Sequence, residues 1–129
     1  MKKVFWAAVL AVFSVISCVF LMFYIINVSD KAMESVKNIQ QDFSASNFKS
    51  ASKKADDLNN FWEENQNIMS IIVHHEMLEE IEESIALIKT SIDTSENSKN
   101  DNFWMESNKA TIYLKNLREV EIPTLGNIL

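Results

Sequence analysis

The chain opens with an unbroken apolar stretch and continues with a periodic one. Residues 4–29 contain no charged residue; Lys2 and Lys3 precede them and Asp30 follows. At about 1.5 Å of rise per residue, roughly 23 helical residues reach about 35 Å, which is enough to cross the ~30 Å hydrocarbon core of a bilayer. The pattern therefore predicts an N-terminal transmembrane helix.

Two other interpretations of this stretch compete with an uncleaved anchor. A cleaved secretory signal has a shorter apolar region, about 7–15 residues, followed by small residues, and residues 27–29 fit that pattern poorly. Residues 15–18, Val-Ile-Ser-Cys, look like the short box that precedes the lipid-modified cysteine of bacterial lipoproteins. Because residues 19–26 stay wholly apolar after Cys18, where a lipoprotein normally becomes polar, we favour the anchor. Cys18 is then a small apolar residue of a membrane helix.

Beyond the apolar stretch, apolar residues recur at intervals of three and four, which is the spacing of amphipathic helices. Four helices are predicted, at residues 30–44, 47–72, 76–94 and 102–120. The first can continue the membrane helix, since nothing between Ile26 and Val36 forbids it. A single helix over residues 47–94 would be about 70 Å long, too long for so small a domain. We therefore expect a tight reversal near residues 73–76.

The last third of the chain changes character twice. Residues 94–102 are polar throughout and are typical of a loop. Pro123 is predicted to end the fourth helix, because proline lacks a backbone N–H. The tail beyond it is apolar for a free end, so we expect residues 122–129 to pack back on the bundle.

These elements predict an all-α protein with two parts. Residues 1–29 form a cytoplasmic stub and a transmembrane anchor, and residues 30–129 form an extracytoplasmic helical domain. One Gly and one Pro in 129 residues leave little material for strand turns. A shift of 55 positions places Phe48 on Phe103 and Ala55 on Ala110. The domain is accordingly expected to be a four-helix bundle or two stacked helical hairpins.

Charge gives an orientation and narrows the partners. Lysines beside a first span tend to stay cytoplasmic, so Lys2 and Lys3 place the N-terminus inside and the C-terminus outside. Without those two lysines, ten basic residues face eighteen acidic ones, a net charge of −8. An acidic domain repels phosphate backbones, which argues against nucleic acid as a partner. The bland interpretation of this charge is solubility.

Candidate chemistry is confined to one cluster of metal-capable side chains. His75 and Glu79 share a helix face at i, i+4 and lie next to His74 and Glu76, but a zinc site needs at least one more ligand. Helix junctions also use a histidine to satisfy backbone groups. We therefore predict no metal or other cofactor, with His74, His75 and Glu79 as weak metal candidates. A ligand-responsive or metal-responsive sensor using the His74/His75 cluster is the alternative function.

Catalytic patterns are absent from the sequence. It has no Gly-rich phosphate loop, its sole cysteine lies in the apolar stretch, and only two histidines exist to activate a serine. The chain is thus predicted to be a non-enzymatic interaction or scaffold module that contacts another membrane or cell-envelope protein. Tryptophan is enriched at interface centres, and we expect contacts at Trp104 and at the apolar tail. The candidates in the tail are Ile122, Leu125, Ile128 and Leu129.

Several of these features together resemble a family. These features are the N-terminal anchor, Trp62, the run from Ile71 to Glu76 that leads to Ile-Glu-Glu-Ser-Ile at residues 81–85, the helix start at residues 101–103, and Leu-Gly-Asn-Ile-Leu at residues 125–129. They are similar to a bacterial domain-of-unknown-function family of small anchored helical proteins, found mainly in spore-forming Firmicutes. In that family a Glu often stands where this chain has Gly126. The resemblance implies an architecture and a membrane location but no activity.

Overall fold

In a computed structural model the chain folds into four helices: α1 (Lys2–Ser44), α2 (Phe48–Met69), α3 (His75–Thr94) and α4 (Asp101–Ile128). The structure describes residues 1–71, 73–94 and 101–128, except for the side chains of Asp101 and of residues 120–128. No strand occurs within these ranges. The prediction of an all-α helical bundle is confirmed.

The helices form an up-and-down bundle that closes on itself. α1 packs against α2 and α4, and α3 packs against the same two helices. Contacts at both ends show that α1 and α2 are antiparallel: Phe43 meets Phe48, with ring centroids 5.2 Å apart, and Tyr24 donates a hydrogen bond to Asn65. Short connections between successive helices favour this arrangement. The two hairpins of the predicted alternative are the two halves of the same bundle.

Each helix presents one apolar seam to a shared core. Residues of the seams recur at intervals of three and four, as expected for helices packed nearly in parallel. In this core, α2 and α4 combine small alanines with the large side chains of Trp62 and Phe103. The buried apolar residues are Ile25, Val28, Ala32, Val36, Ile39 and Phe43 of α1; Ala51, Ala55, Leu58, Trp62 and Met69 of α2; Leu78, Ile81, Ile85, Ile88 and Ile92 of α3; and Phe103, Ala110, Leu114 and Leu117 of α4, joined by Val73.

Polar contacts hold the first hairpin in register. The Asp42 carboxylate accepts a hydrogen bond of 2.6 Å from Ser50 and lies 2.8 Å from the Lys54 ammonium. These contacts, Lys54 first and Ser50 second, lower the pKa of Asp42 below its ordinary 3.8. Across α2 and α3, Lys89 donates to Asp56, and this hydrogen bond raises the pKa of Lys89. Both pairs are partly exposed to solvent, so they specify the pairing of helices more than they stabilise it.

In the first three helices the structure differs from the predicted boundaries in two places. α1 runs from Lys2 to Ser44 without a break, so the predicted helix 30–44 is the last part of the same helix that contains the apolar stretch. The reversal lies between Met69, where α2 ends, and His75, where α3 begins, slightly earlier than the predicted 73–76. It begins where the Ser70 and Val73 amides bond back to Gln66 and Met69. Of the predicted loop 94–102, residues 95–100 lie outside the described residues.

Pro123 does not end the fourth helix. The helix predicted for residues 102–120 instead continues to Ile128. The φ value of proline suits a helix. Its ring removes one backbone hydrogen bond and crowds the carbonyl group in the preceding turn. The missing N–H therefore leaves a local defect in α4 where the sequence analysis expected a stop.

The matched pair of Ile88 and Ile112 tests the seam model of the core. Ile88 is fully buried on α3, whereas Ile112 on α4 is 57% exposed. Ile88→Ala should lower the free energy of unfolding by about 2–5 kcal/mol because it leaves a cavity, and Ile112→Ala should change it by less than about 0.5 kcal/mol. Urea unfolding of the full chain in detergent micelles, followed by circular dichroism, measures both. Equal losses for the two variants would contradict the assigned core.

Candidate functional site

The most unusual surface of the molecule is the first half of α1. Residues 1–16 are exposed throughout and most of them are apolar. The aromatic members of this surface include Phe5, Trp6, Phe13, Phe20 and Phe23. In a soluble protein such a surface would be strongly unfavourable. Of the described helices, α1 alone is long and apolar enough to cross a membrane.

α1 begins to pack against the other helices before the predicted span ends. Ile25, Val28 and Ser29 are buried among the other helices, although the sequence analysis assigned them to the anchor. The apolar part that contains no buried residue is therefore residues 4–23, hereafter the free segment. Its 20 residues measure about 30 Å along the axis, which equals the usual thickness of the hydrocarbon core. The free segment is thus long enough by itself to span a bilayer.

Cys18, the candidate for lipid modification, lies within the free segment. Its side chain is exposed and its thiol is free. It sits inside a continuous helix that carries apolar residues on both sides of it. The structure is therefore compatible with a membrane-embedded thiol, and the lipoprotein alternative stays a prediction.

Trp104 lies at the end of the bundle that is farthest from the free segment. It is half-buried, and its ring meets Phe43 edge-on at 6.0 Å and Phe103 at 5.3 Å. Phe43 and Phe103 in turn stack at 3.8 Å. One side of Trp104 remains open and borders a shallow cleft of about 470 Å³. The other residues of the cleft are Lys37, Gln40, Gln41, Ser44 and Ala45. Trp104 thus combines a packing role with an accessible face.

The other predicted contact residues are described only in part. Ile122, Leu125 and Ile128 belong to the last turns of α4, but their side chains lie outside the described residues, as does all of Leu129. The antiparallel pairing of α4 with α1, which brings Arg118 to within 3.3 Å of Asp30, directs these last turns towards the free segment. Whether the tail packs on the bundle stays a prediction.

The histidine cluster forms one pair. His75 Nε2 and Glu79 Oε1 are 2.8 Å apart on the first turns of α3, and both side chains are largely exposed. His74 precedes the helix in the α2–α3 turn and is also exposed. Among the described residues no group of three potential ligands comes together. The pair alone offers two ligands, whereas zinc sites in proteins use three or four.

Sequence reasoning missed four exposed apolar side chains on the bundle. Met105 and Ile112 are seven residues apart on the outer face of α4, and Ile68 and Ile71 flank the end of α2. For the two residues of α4, the helical spacing indicates an outward position, because residues 105 and 112 fall between the inward positions 103, 110, 114 and 117. For Ile68 and Ile71 the surrounding apolar run hid which residues face outward.

Comparison with known proteins yields a family and nothing narrower. A protein-family model described as "Domain of unknown function (DUF4363)" matches residues 19–128. The match begins inside the free segment and covers the whole bundle. No curated protein and no solved structure matches the chain. The chain therefore belongs to this family, and the comparison supplies no activity.

Zinc titration tests whether the histidine pair is a metal site. Because His75 and Glu79 provide only two ligands on an exposed surface, we expect no saturable heat when zinc is titrated into the full chain in detergent micelles. The trace should be the same for His75→Ala. A metal site would instead give saturable one-site heat that is abolished by His75→Ala and unchanged by Glu80→Ala, the residue next to Glu79. That result would support the sensor hypothesis.

Proposed function

We propose that this chain, which belongs to the DUF4363 family of unknown function, is a single-pass membrane protein whose bundle acts by contact with another protein. The observation that carries the proposal is the division of α1. Its first half exposes an apolar surface of bilayer length, and its second half forms one wall of the bundle core. A helix with these two halves joins a lipid environment to a folded domain without a linker.

The continuous helix would make the bundle a rigid extension of the anchor. The seam of α1 runs from Ile25 to Phe43, so almost every turn outside the free segment is packed. Confinement to a membrane raises the effective concentration of the bundle near other membrane proteins, so even a weak interface can be occupied. A fixed height above the bilayer would also restrict which surface of a neighbour it meets. These properties suit a scaffold or an adaptor.

Charge supports an outside location and a basic partner. Lys2 and Lys3 precede the free segment, and no comparable positive excess follows it. The bundle carries the acidic excess, which would steer it towards basic surfaces and away from anionic lipid headgroups. In a bacterial cell of the kind implied by the resemblance, the bundle would lie in the cell envelope. This orientation rests on the sequence.

The contact surface we propose is the outer side of α4 together with the neighbouring edge of α1. Trp104 presents its open face there beside Lys37 and Gln41, and Met105 and Ile112 add exposed apolar area along α4. Exposed aromatic and Met side chains are enriched in protein interfaces. The tail residues Ile122, Leu125, Ile128 and Leu129 are retained as further candidates, since α4 continues to Ile128.

Cysteine labelling in intact cells tests the membrane topology. In a Cys18→Ser background, Asn116→Cys on the exposed side of α4 should react with a membrane-impermeant maleimide without lysis, because the bundle is outside. Lys3→Cys should react only after lysis. The reverse pattern would contradict the orientation, and a mature chain without residue 3 would show that the N-terminus is cleaved.

Crosslinking in native membranes tests the contact surface. Trp104→Ala should reduce the yield of the main crosslinked partner about ten-fold or more, as truncation of a central interface tryptophan typically does. Because Trp104 also contacts Phe103, circular dichroism must show an intact bundle. Ser52→Ala, in a cleft lined by residues of α2 and α3, is the control. Equal yields for Trp104→Ala, a tail deletion and the unmodified chain would refute the proposed surface.

A further inference from the structure

The turn between α2 and α3 exposes two isoleucines at one end of the bundle. Ile68 is 44% exposed and Ile71 is 75% exposed, while their neighbours Met69 and Val73 are buried in the core. The exposed residues Ile68, Ser70, Ile71 and His74 at this end of the bundle are hereafter the proximal turn. Two large β-branched side chains on an outward-facing turn are unfavourable in water, so the position of the turn along the molecule becomes important.

The antiparallel pairing of α1 and α2 fixes that position. Phe43 lies beside Phe48, and Tyr24 is hydrogen-bonded to Asn65, so residue numbers of facing positions sum to about 90 along the pair. Extended past Asn65, this register places Ile68 opposite Met22 and Ile71 near Val19. Leu21, Met22 and Val19 are half-buried, which agrees with protein covering one side of α1 at this level.

The outer end of the bilayer must lie at the same level. Phe20 and Phe23 are exposed apolar residues at the end of the free segment. If the hydrocarbon core stopped at residue 16, the span would have only about 13 residues, or roughly 20 Å, which is too short to cross it. A span that ends near Phe20 has about 17 residues, which is long enough. It brings the proximal turn to the hydrocarbon boundary and leaves Glu76 and Glu79, which are exposed on the first turns of α3, within reach of the headgroups.

We propose that the proximal turn inserts into the outer interface of the same bilayer, with Ile68 and Ile71 as its apolar contacts. This inference rests on the proposed membrane anchor and adds a second attachment point to it. The turn would sit at the depth that interfacial amphipathic segments reach, about 5–10 Å into the boundary between headgroups and acyl chains. Two attachment points would fix the rotation of the bundle about the anchor as well as its height.

The polar residues of the turn agree with an interfacial depth. Ser70 and His74 stand beside the isoleucines and are exposed. The Ser70 hydroxyl donates to the carbonyl oxygen of Asn67, at 2.6 Å, so part of the turn's polar surface is satisfied internally. His74 would remain among the headgroups. A deeper position would strip these groups of water, and a shallower one would leave Ile71 in water.

Position distinguishes this pair from the other exposed apolar residues of the bundle. Met105 follows Phe103, which stacks on Phe43 at the opposite end of the bundle. Along α1, Phe43 and Tyr24 are 19 residues apart, or about 28 Å. No tilt of the anchor within the usual range brings Met105 to the same bilayer surface. A lipid contact is thus expected at the proximal turn and not at Met105.

Spin labels at three single cysteines test the proposal in the full chain. In the Cys18→Ser background, Phe13→Cys, Ile71→Cys and Met105→Cys are labelled with a nitroxide and reconstituted into phosphatidylcholine vesicles. Power-saturation electron paramagnetic resonance compares collision with oxygen, which concentrates in lipid, and with a nickel chelate, which stays in water. Circular dichroism confirms that each labelled chain keeps its helices. All three sites are exposed, so the label replaces no core residue.

The expected result is an oxygen-to-nickel collision ratio at residues 13 and 71 several-fold above that at residue 105. A ratio at residue 71 equal to that at residue 105, with residue 13 still in lipid, would overturn the proximal-turn contact and leave the anchor intact. A water-like ratio at residue 13 would overturn the anchor and, with it, this inference. The two failures are therefore distinguishable in one experiment.

Discussion

The packing of the second half of α1 into the bundle is the interaction on which the rest of the structure depends. Its seam from Ile25 to Phe43 contacts α2 on one side and α4 on the other. The same helix, without a change of direction, supplies the apolar free segment. Since the bundle contains no cysteine that could form a disulfide, this apolar packing must also hold the domain together. The exposed apolar segment and the packed segment are therefore two parts of one helix.

Much of the fold could be predicted from periodicity. The intervals of three and four residues predicted the helices, and the buried residues of α2 and α3 largely recur at those intervals, because each helix of a bundle has one buried side. Boundaries were less accessible. The end of the exposed part of α1 is set by contacts such as Tyr24 with Asn65, and exposed apolar residues cannot be told from core apolar residues in a sequence. The predicted end of α4 at Pro123 was wrong for a different reason: a helix can continue through a proline when it loses one backbone hydrogen bond.

The candidate sites were harder to predict than the fold. Trp104 was identified from its residue type, and the structure gives it both a packed and an open face. Ile68 and Ile71 could not be separated from buried Met69 and Val73 by pattern, because the turn interrupts the helical period there. The significance of these isoleucines also depends on the register between α1 and α2, a tertiary property. The chain has few residues of the types that catalyse reactions or bind metals, so the proposed function rests on exposed surfaces.

Hydrogen exchange of the full chain in lipid nanodiscs tests the central claim most directly. If one helix joins anchor and bundle, the backbone amides of residues 20–32 should exchange slowly and without interruption, because each is hydrogen-bonded within α1 and the seam is packed. Residues on both sides of position 29 should then belong to one protected block. Rapid exchange confined to residues 26–32, between two protected regions, would reveal a flexible joint and contradict the account.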